Sequence, residues 1–129
     1  MTRHILITDD EPNLRYGAGI ALKKAGYKIT EAGDGREALS MVLGGNDFDL
    51  LLIDIRMPNM SGIELISELK RHDIFTPVVA ISGFADSTQV SELMKNGCSG
   101  FLDKPFEPRE LVEMVNSVLD DSREEICSE

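Results

Sequence analysis

The stretch DLLLIDIRMPNMSGIEL, residues 49–65, changes character twice. Leu50 to Ile53 run without a polar side chain, as a strand buried on both faces requires, and Asp54 closes the run. Ser61, with Glu64 three residues on, then opens a helix in the pattern of a side-chain cap answered by a reciprocal carboxylate. A buried strand that ends in a carboxylate and leads into a helix is the unit of an open α/β sheet. Such sheets gather their polar chemistry at the carboxyl ends of the strands.

The same alternation continues in both directions. Further strand-length apolar runs span Ile5 to Thr8, Lys28 to Glu31, Val78 to Ile81 and Gly100 to Leu102. Stretches of helical spacing separate them, which predicts a parallel sheet with helices on both faces. The first helix follows Pro12, turns Leu14, Ala18, Ala21, Leu22 and Ala25 to one side, and stops at Gly26. A second begins near Asp34, with Glu37 in the capping position. A fourth is expected from about Asp86 to Asn96, with Val90, Leu93 and Met94 inward and Gly97 as its stop. The fifth runs from about Pro108 to Leu119, with Leu111, Val112, Val115, Val118 and Leu119 inward. Residues 1–120 form one domain, and the polar, unpatterned residues 121–129 read as an acidic tail or the start of a linker.

Composition narrows the function. A chain of 129 residues with 42% hydrophobic content can bury one substantial core. No window approaches the roughly 20 unbroken apolar residues of a membrane span, and the opening MTRHILITDDE turns acidic too soon for a secretory signal, so a cytoplasmic, membrane-free protein is expected. A net charge of −10 repels polyanions, which argues against direct binding to nucleic acid. Cys98 and Cys127 have neither partners nor a metal-ligand spacing and read as reduced thiols, with Cys98 a small buried residue.

Five polar residues share strand ends: Asp9, Asp10, Asp54, Ser82 and Lys104. Two carboxylates at about 4 Å repel by roughly 4 kcal/mol at an effective dielectric near 20, so three aspartates at one sheet edge call for a cation. A small divalent ion takes hard oxygen ligands and only a few carboxylates. Beside it Asp54 can act as a nucleophile toward a phosphoryl group, with Lys104 as a compact positive charge, and Ser82 and the backbone N–H groups after Asp54 and Ser82 as donors. Taken singly, each residue has a plainer use. The Asp pair can cap a helix, Asp54 a turn, and Lys104 can be a solvated charge. Only their coincidence at one edge argues for a site. His4 begins a strand and His72 sits near a helix C-terminus, so neither suits a phosphodonor, and Met57, Met60 and Met94 read as packing side chains.

The motifs ILITDDEP, LLLIDIRMPNMSGIEL with Pro58 and Gly62, VVAISGFA and FLDKPF, in that order, resemble the response regulator receiver domains of two-component signalling. The resemblance covers residues 4 to about 119. It implies a flavodoxin-like three-layer fold, α/β and doubly wound, with five helices and five parallel strands in the order 2-1-3-4-5. It implies Mg2+, with Mn2+ as a substitute, held by Asp9, Asp10, Asp54 and the main-chain carbonyl of Arg56, and a cis bond before Pro105. Its chemistry would be phosphoryl transfer from the phosphohistidine of a histidine kinase or phosphotransfer protein to Asp54, with phosphorylation and dephosphorylation catalysed by the domain itself and no turnover of an outside substrate. Ser82 and Phe101 fall at the switch positions, and the output would pass through helix 4, strand 5 and helix 5 to an output domain, a partner protein or a homodimer that forms on phosphorylation.

Departures from the usual pattern concern regulation. Serine stands at 82 where threonine is commoner, phenylalanine at 101 where tyrosine is frequent, and Cys98 and Gly100 replace alanine and aspartate. By the same resemblance Arg56 and Phe84, two residues beyond Asp54 and Ser82, would border the entry for water at positions that tune phosphoryl lifetime. An aspartyl phosphatase of the haloacid dehalogenase type would need an acid two residues after Asp54, where Arg56 stands. A flavin module would not face a phosphate with Asp9, Asp10 and Glu11. A receiver-like interaction module that works without phosphorylation is the remaining alternative.

Overall fold

A computed structural model describes residues 2–83 and 87–127. Strands and helices alternate as β1(His4–Thr8), α1(Pro12–Lys24), β2(Lys28–Ala32), α2(Gly35–Leu43), β3(Leu50–Asp54), α3(Gly62–Arg71), β4(Val78–Ser82), α4(Ser87–Lys95), β5(Gly100–Asp103) and α5(Pro108–Cys127). All strand pairs are parallel and the order is β2-β1-β3-β4-β5, the doubly wound arrangement expected.

The two-residue period of a strand sorts the core into two layers. Ile5, Ile7, Leu50, Leu52, Val79 and Ile81 face one side, where Ala18 and Leu22 of α1 and Leu111, Val115 and Val118 of α5 cover them. Leu6, Leu51, Ile53, Val78 and Ala80 face the other, under Ala38 of α2, Leu65, Ile66 and Leu69 of α3, and Leu93 of α4. Every residue of β3 and β4 is buried, which fixes their register because a one-residue slip would exchange the two layers.

Helix ends follow local chemistry. Asp34 and Ser61 accept from the N–H groups of Glu37 and Glu64 as expected, while in return Glu37 accepts from the Gly33 N–H and Glu64 from the Ser61 hydroxyl. Gly26 and Gly97, after α1 and α4, take φ of 102° and 97°, where a side chain would be strained.

Three expectations need correction. Met94 is 47% exposed: it follows the buried Leu93 by one residue, a rotation of about 100° that carries it off the inward face of α4. Ala25 is exposed because it is the C-cap of α1, past the last full turn. Helix α5 continues through residues 120–127, expected to be unpatterned, since nothing after Leu119 stops it and Arg and Glu are good helix formers. Met57 and Met60 pack against the second layer, and Cys98 is a buried free thiol. Phe84 and Asp86 lie outside the described residues, as does the side chain of Cys127. Among the described residues no helix is long and apolar enough to cross a membrane.

Candidate functional site

Parallel strands end on one edge, and β1, β3, β4 and β5 bring their last residues together there. Asp9 follows β1, and its N–H donates to the Ala32 carbonyl at 3.2 Å, which continues the β1–β2 pairing one residue beyond the strand. Asp54 ends β3 and Ser82 ends β4. All three are buried, at 0%, 3% and 2% exposure, whereas Asp10 is exposed. Lys104 follows β5, with a cis bond to Pro105.

One carboxylate oxygen from each of Asp9, Asp10 and Asp54 lies within 4.8 Å of the other two. The ammonium of Lys104 stands 3.2 Å from Asp54 Oδ2, 3.4 Å from Asp9 Oδ2 and 3.3 Å from Glu11 Oε1. The contact with Asp54 is a hydrogen bond. Toward Asp9 Oδ2 the ammonium is close enough for attraction but not aligned to donate, so that buried oxygen has no hydrogen-bond partner. The other oxygens are tied to the backbone: Glu11 N–H donates to Asp9 Oδ1 at 2.8 Å, and Arg56 N–H to Asp54 Oδ1 at 3.2 Å.

Electrostatics follow from burial. Desolvation pushes Asp9 up to about 6, against the N–H of Glu11 and the charge of Lys104, with Asp54 adding to the rise. Asp54 is raised by the same desolvation, with Lys104 opposing. For Lys104, burial acts downward, but the charges of Asp9 and Asp54 outweigh it and the net shift is upward. Three carboxylates against one lysine leave the cluster short of positive charge. A hard dication with bonds of roughly 2.0–2.1 Å to oxygen would fit this donor set, in which Oδ2 of Asp9 accepts no hydrogen bond.

The loop after Asp54 is held by two close approaches. A Cβ on Gly62 would lie 2.5 Å from the Asp54 carbonyl oxygen, and one on Gly35 would lie 2.7 Å from that of Met60. Both ends of residues 55–61 therefore rest directly on backbone. A cavity of about 920 Å³ opens from Asp54, Ser82 and Lys104 and runs between α1 and α5. Its far walls are apolar: Leu14, Ala18, Ala21, Phe106 and Leu111.

The structure thus brings together Asp9, Asp10, Asp54, Ser82 and Lys104, with Arg56 lining the same cavity. Phe101 sits apart. It pairs with Ala80, two residues before Ser82, and packs half-buried against the second layer. In the sequence Glu11 stands out only as part of an acidic loop, yet it is a partner of Lys104 across 93 residues. Nothing in local sequence signals that contact.

Comparison with known proteins gives a consistent result. A family model of the response regulator receiver domain matches residues 5–116. Response regulator SaeR of Staphylococcus aureus is 32% identical over 116 residues, which is 90% of this chain and 50% of that protein. The chain therefore spans about half the length of the curated relatives it matches. Among solved structures, chemotaxis protein CheY4 of Vibrio cholerae is 30% identical with a TM-score of 0.85, covering 92% of this chain and 99% of that one. The receiver domain of Francisella response regulator 1452 is 30% identical with a TM-score of 0.88, over 94% and 99%.

Proposed function

This chain belongs to the response regulator receiver domain family of two-component systems, and on that premise we propose that Asp54 accepts a phosphoryl group from the phosphohistidine of a kinase or phosphotransfer partner. The observation that carries this reading is the convergence of buried Asp9 and Asp54 with half-buried Lys104, and with Asp10 at the rim. A carboxylate oxygen of Asp54 attacks phosphorus in line with the departing imidazole. The new O–P bond forms as the P–N bond breaks, the histidine nitrogen keeps the electron pair, and a proton from water neutralises it. Lys104 neutralises a phosphoryl oxygen, while the Ser82 hydroxyl and the Arg56 and Gly83 N–H groups supply donors. Asp9, Asp10, Asp54 and the carbonyl of Arg56 would hold Mg2+, or Mn2+ in its place. The bound ion would supply positive charge against the equatorial phosphoryl oxygens.

Hydrolysis of the acyl phosphate returns Asp54 to its carboxylate, so the domain completes a signalling cycle and turns over no other substrate. We read Ser82 and Phe101 as the elements that bias a two-state equilibrium once Asp54 is modified, altering the surface of α4, β5 and α5 toward an output domain, a partner protein or a second copy. The charge of −10 argues for protein partners over direct contact with nucleic acid, and a cytoplasmic location suits a phosphohistidine donor.

Intact mass after incubation with Mg2+ and acetyl phosphate tests the proposal. One added phosphoryl group is expected, lost with a chelator and absent in Asp54→Asn. A wild-type protein that gains no mass would instead be an interaction module that works without phosphorylation.

A further inference from the structure

Asp9 is held at several points, and Arg15 supplies one of them. The N–H of Asp9 is held by the Ala32 carbonyl and its Oδ1 by the N–H of Glu11. Its carbonyl oxygen accepts from Nη1 of Arg15 at 2.6 Å. Nε of the same guanidinium donates to Glu31 Oε1 at 3.2 Å, so the planar fork spans from the β1–α1 loop to the edge strand β2. The Arg15 side chain is 20% exposed and that of Glu31 42%, so the part-buried bond to the Asp9 carbonyl is the firmer of the two. The loop needs such a tie, because α1 has no capping side-chain hydrogen bond at Glu11. With three polar groups of Asp9 held, only Oδ2 is left to face Asp54 and Lys104.

We propose that Arg15 is a positioning residue for the cation site: by fixing the backbone of Asp9 it sets the affinity for Mg2+ without touching the ion. The inference rests on the Mg2+ reading above. Groups that orient a metal ligand commonly change affinity by factors of about 10–100 when removed, and one that acts through the ligand's backbone belongs at the lower end.

Calorimetric titration of chelator-treated protein with MgCl2 tests this, with the metal-free thermal midpoint as the control for folding. Arg15→Leu keeps the apolar stem and removes both donors. It should raise the Mg2+ dissociation constant about tenfold and lower the metal-free midpoint by only a few degrees. Arg15→Lys, which keeps one donor, should recover part of the affinity. An unchanged dissociation constant in Arg15→Leu overturns the proposal. Should Arg15→Leu fail to fold, Glu31→Gln takes its place. It loosens the guanidinium from β2 and should weaken Mg2+ binding by a smaller factor, and wild-type affinity there overturns the proposal equally. A wild-type protein that takes up no Mg2+ would overturn the cation reading itself, an outcome distinct from equal binding by wild type and variant.

Discussion

Ile5 and Asp9 lie four residues apart on one strand line and are equally buried, at 0% exposure each, yet burial acts on them with opposite sign. Removing Ile5 from water stabilises the fold by roughly 1.5–3 kcal/mol. Removing the Asp9 carboxylate from water costs free energy, which appears as its pKa raised to about 6. The interior of the sheet and its carboxyl edge are thus built from the same strands to different ends. The interior holds the molecule together, and the edge stores negative charge that a cation would relieve.

The contrast can be broken or sharpened by experiment. Leu52, fully buried under α1 and α5, should have the largest effect: Leu52→Ala is expected to lower unfolding free energy in urea by about 3–4 kcal/mol, and a loss below about 1 kcal/mol would mean that the layer is loosely packed.

The next effect has the opposite origin. The folded-state pKa of Asp9, about 6, lies above its ordinary value of 3.8, so between those values the unfolded chain loses its proton first. Metal-free stability should therefore fall as pH rises through this window, by about 3 kcal/mol in the difference between wild type and Asp9→Asn, and stay low above it. Parallel pH profiles for the two proteins in a chelator would remove the electrostatic half of the comparison.

Mg2+ should then restore part of what ionisation costs. At ten times its dissociation constant, stabilisation of about 1.4 kcal/mol is expected at pH 7, with less at pH 5, where Asp9 is largely protonated. Thermal midpoints with and without Mg2+ at the two pH values measure it, and an equal gain at both would detach the ion from Asp9. The smallest effect belongs to the cap of α3: Ser61→Ala should cost about 1 kcal/mol in urea unfolding and leave the mass gain on Asp54 intact.

The interior was legible in the sequence to within a residue at each strand end, because two-sided burial writes itself as unbroken apolar runs such as Leu50–Ile53. The gathering of Asp9, Asp10, Asp54, Ser82 and Lys104 was legible as well, since parallel strands must end on one edge. Other features escaped for physical reasons. Met94 shares the helical spacing of its neighbours, but α4 buries a narrower stripe than its pattern of apolar residues suggests. The extension of α5 has no apolar period to announce it and needed only the lack of a stop signal. Glu11 and Arg15 act through partners 93 and 16 residues away, and a single acidic or basic residue in a loop or first turn carries no mark of such a contact.

The bare backbone contacts at Gly35 and Gly62 have a consequence for how this chain can vary. A saturation library should show both positions as empty columns, with even alanine rejected, although neither residue carries a reactive atom. The loop of residues 55–61 is clamped by these two contacts against positions that carry no side chain, so what this corner must preserve is a missing methyl group.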